Sequence, residues 1–286
     1  MRNVVRKGEK IGTTRGSRTP GGTGGQTSVA LGQLRAMSKK RFRRALFSST
    51  IETAIKTRAI AFDDNAQDFL DSVEMKRVLS GAKKVFGQKI DILGMDACLM
   101  NMAEVAYQVR DSCAITVGSE EVEPGDGWPY HKILGALAAK PKMTPSELAK
   151  VIVREYIRSY GPSEAVTQSA LDLAKVTTLS KAIDALAVRL KNVSATEMAN
   201  IAAVRAQVQS YDTPDYVDLI DLCSLLKARI PLLGKHTDDV IAQTQAAIIA
   251  NGAKGANVRN SNGASIYFPT KGISPLYAKL DFTKSA

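Results

Sequence analysis

Residues Ile90–Met100 have the sequence IDILGMDACLM, and this stretch indicates the fold. Its first half is a short apolar run, which is typical of a buried strand in a parallel sheet. Asp96 and Cys98 follow at once, and apolar residues at helical spacing resume at Met100. In an open parallel sheet, reactive groups collect at the carboxyl ends of the strands. The stretch therefore predicts a strand, a turn that carries an acid and a thiol, and then a helix.

Short apolar runs and longer helical segments alternate along the rest of the chain. Further strands are predicted at Ala59–Phe62, Cys113–Gly118 and Ala264–Phe268. Apolar residues at three- and four-residue spacing predict helices at 67–86, 100–109, 131–139, 145–160, 164–190, 195–209, 214–229 and 237–251. This alternation predicts an α/β fold with a mostly parallel sheet flanked by helices.

The composition is that of a globular chain and excludes several classes of protein. The 286 residues are 44% apolar and 23% charged, so a sizeable core is expected. No apolar run approaches the roughly 18 residues of a membrane span, and no ordinary secretory signal is evident in the first thirty residues. Three scattered cysteines exclude a disulfide framework and a four-cysteine zinc site.

The positive charge is concentrated at the start of the chain. Residues 1–58 contain fourteen Lys and Arg and two acids, whereas the remainder is close to neutral. Residues 1–34 are rich in Gly and predict a flexible basic leader, and residues 35–58 are basic with roughly helical apolar spacing. A basic arm can bind nucleic acid or anionic surfaces, but a solvated tail is favoured because no aromatic residue precedes Phe42. Nucleic acid is therefore not an expected partner.

Cys98 has two interpretations from spacing alone. Its sulfur can lie near the amino end of the following helix, whose dipole would favour a nucleophilic thiolate. Alternatively, it is a buried structural cysteine, the commoner role of a single Cys in an apolar run. Both interpretations stay open on this evidence.

Several linked motifs are distributed over residues 35–286. In chain order they are Arg58–Asp64, Asp96–Met100, Glu104–Tyr107, Ser119–Glu121, Gly127–Tyr130 and Asn262–Pro269. Their order and approximate spacing resemble the clostripain family of caspase-like cysteine peptidases. The resemblance implies a caspase-like peptidase domain over residues 35–286.

The resemblance also implies an endopeptidase that cleaves after Arg or Lys. Cys98 would be the nucleophile, and its backbone amide would contribute to the oxyanion hole. Asp96, with Asp126 as a second acid and Ser119 nearby, would bind the basic side chain of the substrate. Asp96 can instead cap the following helix, and Asp126 can be an ordinary turn residue.

The implied partners are protein or peptide substrates with basic residues. The residues themselves predict no metal site, but calcium is a candidate cofactor because some members of the family use it. Relatives are commonly exported, whereas this sequence by itself assigns no location.

The catalytic histidine of the family has no counterpart at the expected place. In the family it comes from a His-Gly motif upstream of the segment that matches Arg58–Asp64, and residues 1–130 contain no histidine. His131 and His236 are expected to lie on the surface. We therefore expect a domain that lacks its first strands on the N-terminal side, with an exposed sheet edge and poor solubility. We also expect impaired catalysis, because a general base is worth about two to four orders of magnitude in rate.

Three further hypotheses concern the basic segment and the alternatives to catalysis. The stretch Lys39–Arg44 predicts a self-cleavage site or, equally, a solvated helix face. The chain can also be a non-catalytic binding module that retains a basic-residue pocket. A third possibility is a binder of anionic surfaces or nucleic acid through residues 1–58.

Overall fold

The computed structural model describes residues 70–285, in which helices and strands alternate. The helices are α1 (Ser72–Phe86), α2 (Ala103–Val109), α3 (Tyr130–Ala139), α4 (Pro145–Ser159), α5 (Val176–Leu190), α6 (Ala195–Arg205), α7 (Leu219–Arg229) and α8 (Gly234–Ala247). The strands are β1 (Ile90–Gly94), β2 (Cys113–Gly118), β3 (Val166–Asp172), β4 (Tyr216–Asp218), β5 (Ile248–Lys254) and β6 (Ser265–Tyr267).

Four of these strands form one mixed sheet in the order β1-β2-β3-β5. β1 and β2 are parallel, with Ile92 opposite Ile115, whereas β3 runs antiparallel to both β2 and β5. The α/β class, with helices flanking the sheet, is confirmed. The described part of the sheet nevertheless contains more antiparallel pairing than the sequence predicts. Two helices, α3 and α4, connect β2 to β3. The first helix leads away from the end of β2 and the second leads back to it, so β3 starts where β2 stops and runs antiparallel to it.

Apolar clusters cover both faces of this sheet. Ala170 and Leu171 are neighbours in β3 and belong to different clusters, as the alternation of side chains along a strand requires. Leu171 packs in the cluster that contains residues of α1 and α2, and Ala170 packs in the cluster that contains residues of α3 and α4. A third cluster packs helices α5, α6, α7 and α8 together, and in it Leu226 and Val240 are fully buried. The sheet is therefore the central layer of the fold.

Three of the helices in residues 70–285 begin with a capping box, in which the N-cap side chain and a Glu three residues later satisfy each other's backbone amides. These pairs are Asp71 with Glu74, Thr144 with Glu147, and Ser194 with Glu197. The predicted start of α4 at residue 145 is confirmed, and β2 has the predicted bounds.

Three predicted helices contain strands in the structure. The first part of the predicted helix 164–190 is β3, which is buried between two neighbouring strands. Residues Tyr216–Asp218, predicted as helix, pair with β6, and the chain leaves α8 at Ala247 to form β5. These predictions are wrong because pairing in the sheet overrides the helical spacing of small and apolar residues.

Several predictions concern residues 1–69, which lie outside the described residues. They are the leader at 1–34, the basic segment at 35–58 with its self-cleavage site, and the strand Ala59–Phe62. Among residues 70–285, β1 pairs on one side only, with β2, so the number of strands before it stays a prediction. No helix in that same range is long and apolar enough to cross a bilayer.

The turn after β5 provides a stability prediction. Gly255 has φ 104° and ψ 146°, and a Cβ placed there would lie 2.7 Å from the carbonyl oxygen of Glu164. Gly87, at the end of α1, has φ 70° with nothing within 4 Å of such a Cβ. We expect Gly87→Ala to lower the free energy of unfolding by about 1 kcal/mol. Gly255→Ala should lower the free energy of unfolding by roughly 2 kcal/mol more than Gly87→Ala does, because a backbone clash adds to the unfavourable φ.

Denaturant unfolding of the two variants beside the parent chain measures this difference. Equal decreases in the free energy of unfolding for the two variants would contradict the described packing of the turn after β5 against Glu164.

Candidate active site

Cys98 lies in a turn between β1 and α2 that is bound to the segment following β2. The amide of Met95 donates to the carbonyl of Val117 at 2.9 Å and so continues the β1–β2 ladder. Farther along, the Leu99 amide donates to Glu121 O at 3.3 Å and the Asn101 amide donates to Ser119 O at 2.9 Å. These bonds place Cys98 beside the loop that leads from β2 to α3.

The residue after Cys98 has an unusual backbone conformation. Leu99 has φ 62°, and among the described residues other than glycine it alone has a positive φ. A left-handed conformation is unfavourable for a residue with a Cβ. Its side chain is only 3% exposed, so packing in the core holds the turn in this conformation. Strained backbone of this kind often accompanies functional sites.

The Cys98 thiol is half-buried and close to acidic groups. Its Sγ lies 3.9 Å from the carbonyl oxygen of Glu123, the reach of a weak S–H donor. Burial raises the pKa of the Cys98 thiol to about 12, and the charges of Glu123 and Glu121 add to the effect. The expectation that a helix dipole favours the thiolate is therefore wrong. α2 begins only at Ala103, and desolvation dominates at the sulfur.

Asp96 is exposed and is held by the loop that precedes α3. Its Oδ2 accepts from the Trp128 amide at 3.2 Å and from the Tyr130 hydroxyl at 2.8 Å. The N-cap of α2 is Met102, so the alternative in which Asp96 caps that helix is wrong. The Asp96 carboxylate is thus fixed two residues before the thiol.

Glu123 is a site residue that the sequence analysis missed. It is buried, and its Oε1 accepts from the indole Nε1 of Trp128 at 3.3 Å. Its pKa is raised to about 10, first by burial and then by the neighbouring carboxylate of Asp96. An acid in a loop rich in Pro and Gly gives no sequence signal of burial. The one indication of a packed loop is Trp128, the single Trp of the chain, which lies five residues after Glu123.

The other predicted site residues lie at different depths. Asp126 is exposed in the turn that the bond from the Gly127 amide to Pro124 O closes at 3.0 Å. Ser119 is fully buried, and its hydroxyl is 2.9 Å from Thr167 Oγ1. In this arrangement the Ser119 hydroxyl supports the loop, so contact with a substrate stays a prediction for both residues.

Neither histidine of the chain is buried. His131 is exposed in the first turn of α3, and His236 is half-buried in α8. The described residues include no group of three or more His, Cys, Asp or Glu arranged to hold a metal ion. Calcium therefore stays a candidate that only the resemblance implies.

A buried carboxyl network supports the segment that follows β2. Glu120 is 1% exposed and accepts from the Tyr211 hydroxyl at 2.8 Å and from the Gly263 amide at 3.0 Å. Burial and then the adjacent Asp218 hold the pKa of Glu120 well above its usual range. Asp218 in turn accepts from the Asn262 side chain at 2.9 Å. Motifs more than a hundred residues apart in the sequence thus meet behind the turn of Cys98.

The fold is that of the caspase-like cysteine peptidases, and in this chain a thiol and an acid follow a buried strand. The chain belongs to the clostripain family, whose sequence model matches residues 48–285. It is 31% identical over 165 residues to Clostripain from Hathewaya histolytica. That match covers 47% of this chain but only 31% of the relative.

Solved structures of this family share the fold. A Clostripain from Bacteroides thetaiotaomicron ATCC 29148, in complex with the peptide inhibitor BTN-VLTK-AOMK, superimposes with a TM-score of 0.60 at 16% identity. The match covers 79% of this chain and 98% of that one. An inactive zymogen C11 protease from Parabacteroides distasonis gives 0.60 at 21% identity, with 84% of this chain and 66% of that one covered. At these identities the likeness supports the fold alone.

The raised pKa of Cys98 predicts slow alkylation. Only the thiolate reacts, and its fraction falls tenfold for each pH unit below the pKa. At about pH 7.5 we expect iodoacetamide to modify Cys98 roughly ten to a hundred times more slowly in the folded chain than in the unfolded chain, after allowance for the greater nucleophilicity of a more basic thiolate. The rate should rise with pH up to about pH 12.

Peptide mass spectrometry separates Cys98 from Cys113 and Cys223, which are fully buried. Faster alkylation of Cys98 in the folded chain would show a stabilised thiolate and contradict the described environment.

Proposed function

We propose that this chain is a cysteine endopeptidase of the clostripain type that cleaves after Arg or Lys. The observation that carries the proposal is the fixed arrangement of Cys98 and Asp96 in one turn at the end of β1, with a second acid beside them. A thiol is a nucleophile for acyl transfer, and a carboxylate pairs with a guanidinium or ammonium group. The peptide named in the inhibitor of the Bacteroides thetaiotaomicron structure ends in Lys, which agrees with this preference.

In the proposed reaction the Cys98 sulfur attacks the carbonyl carbon of the scissile peptide bond. A C–S bond forms, and the carbonyl electrons move onto oxygen, which the Cys98 backbone amide helps to stabilise. Collapse of this intermediate breaks the C–N bond, the amine leaves with the proton that the thiol has lost, and a thioester remains. Water then hydrolyses the thioester and restores the thiol.

The proposal includes a low basal rate. A thiol with a pKa of about 12 needs a base to remove its proton before attack. Residues 1–130 supply no histidine, and His131 and His236 lie outside the motifs that carry the family resemblance. Without a positioned base, the expected rate is about two to four orders of magnitude below that of a complete site.

Asp96 is the proposed acid for the substrate's basic side chain. Its Oδ2 receives two hydrogen bonds from the loop before α3, which fix the carboxylate without neutralising its charge. The charge is exposed two residues from the nucleophile, a spacing that suits recognition of the residue before the cleaved bond.

A missing base should be replaceable by a small molecule. We expect the chain to hydrolyse an arginyl fluorogenic amide slowly, and added imidazole to increase the rate about tenfold or more, because it can accept the thiol proton. The measurement is the initial rate against imidazole concentration.

Cys98→Ala should show no hydrolysis at any imidazole concentration. A high rate without imidazole that falls in His131→Ala or His236→Ala would contradict the absence of a base. Binding of an arginine-ended peptide with no turnover under any condition would favour the non-catalytic binding module instead.

Asp96→Asn tests the specificity. Asparagine keeps an oxygen for the Trp128 amide and the Tyr130 hydroxyl but removes the charge. We expect kcat/KM for an arginyl amide to fall about tenfold to a hundredfold, the worth of a hydrogen bond to a charged group. Asp111→Asn, at an exposed position before β2, should leave it unchanged. Equal losses for arginyl and norleucyl substrates would show that Asp96 does not recognise the positive charge.

A further inference from the structure

Glu123 lies between the exposed Asp96 and the packed loop that precedes α3. It is only 8% exposed, its carboxyl faces that of Asp96, and its Oε1 accepts from the Trp128 indole. The backbone carbonyl of the same residue lies 3.9 Å from the Cys98 sulfur. A group that binds Asp96 next to the nucleophile is therefore also close to Glu123.

Among residues 70–285, the groups that interact with Glu123 carry no positive charge. The turn after β1 contributes Asp96 and Cys98, α3 contributes Tyr130, α4 contributes Tyr156, and the residue after α4 is Tyr160. Two facing carboxyl groups in such surroundings repel when both are ionised, so one of them keeps a proton. Burial raises the pKa of Glu123 to about 10, so Glu123 keeps its proton.

Polar groups beside Glu123 have unused hydrogen-bonding capacity. In the described part of the chain, the hydroxyl of Tyr156 and both amide atoms of Gln168 are buried without a hydrogen bond of normal geometry. Tyr156 interacts electrostatically with Glu123, Asp96 and Cys98, and Gln168 is close enough to lower the pKa of Glu123. Buried polar atoms without partners are costly, so a polar ligand at this place would gain from satisfying them.

We infer that Glu123 is the second acid of the basic-residue pocket and that it releases its proton to solvent when a cationic side chain binds beside Asp96. This inference rests on the proposed function, since it concerns the same pocket. Asp126, which the resemblance suggests for this role, is exposed in its turn, whereas the carboxyl of Glu123 faces Asp96.

The proton release follows from electrostatics. A cation beside two carboxyl groups lowers the pKa of the protonated one by about 1 to 3 units. Binding a cation and losing a proton are then linked, so affinity for the cation increases as the pH rises toward the pKa of free Glu123. A neutral side chain of the same length would cause no release.

Trp128 provides the readout. It is the single tryptophan of the chain, and its indole N–H donates to the Glu123 carboxyl at 3.3 Å. Its fluorescence should therefore change when Glu123 ionises. The experiment titrates the fluorescence of Cys98→Ala with pH, alone and with saturating N-acetyl-arginine amide, and uses N-acetyl-norleucine amide as the matched neutral probe.

We expect a transition near pH 10 that arginine amide moves to lower pH by about 1 to 3 units and norleucine amide leaves in place. Glu123→Gln in the same background should abolish the transition, while Asp126→Asn should retain both the transition and its shift. An unchanged midpoint with arginine amide would overturn the inference. A shift that survives Glu123→Gln and disappears in Asp126→Asn would overturn it as well.

Calorimetry of Cys98→Ala with the same probes does not depend on the folding of the Glu123 variant. At about pH 9, just below the midpoint expected for the free chain, the heat of binding of arginine amide in two buffers of different ionisation enthalpy gives the number of protons released. A positive fraction supports the inference, and zero overturns it. If the parent chain hydrolyses the arginyl amide but arginine amide leaves the fluorescence midpoint unchanged, the inference about Glu123 is rejected and the proposed function is not. If the midpoint moves but no hydrolysis depends on Cys98, the proposed peptidase activity is rejected and the inference is not.

Discussion

Backbone hydrogen bonds between the turn after β1 and the segment after β2 determine where every candidate group lies. The bonds from Leu99 to Glu121 and from Asn101 to Ser119 tie the two loops together at one end of the sheet. The parallel pairing of β1 and β2 makes this possible, because both strands stop at the same edge. Cys98 and Asp96 come from the first loop and Glu123 comes from the second.

The surroundings of the thiol favour a cationic partner and disfavour the thiolate. Asp96 and Glu123 face each other beside Cys98, and burial keeps both the thiol and Glu123 protonated. A substrate's basic side chain would offset the acidic charges, whereas the proton on sulfur has to be removed by a base. Recognition and reactivity therefore have different requirements, and the described residues meet the first more completely than the second.

Behind the site, buried carboxyl groups connect segments that are remote in the sequence. Glu120 binds Tyr211 and Gly263, and Asp218 binds Asn262. A buried carboxyl group is tolerated only where hydrogen bonds satisfy it or a proton neutralises it. This network explains why Ser119–Glu121 and Asn262–Pro269 belong to one set of motifs, because each segment supplies hydrogen-bond partners to the other.

The sequence predicts the elements whose pattern is local and misses those that depend on pairing. β2 follows from a continuous apolar run and the start of α4 from apolar residues at helical spacing after Thr144, and both are where they are expected. β3 has apolar spacing that also suits a helix, and its place between β2 and β5 decides its structure. Within the site, Cys98 and Asp96 follow from the strand that precedes them. Glu123 has no sequence signal, because its burial comes from Trp128 and from the approach of Asp96.

The central claim is that Cys98 is a nucleophile beside a pocket for basic side chains. The most direct measurement is covalent labelling of the intact chain with an arginyl acyloxymethyl ketone, whose carboxylate leaves as the thioether forms, with the site located by mass spectrometry. The account predicts one label per chain, on Cys98, formed faster than with the norleucyl analogue. Labelling at another residue, or equal rates for the two reagents, would contradict it.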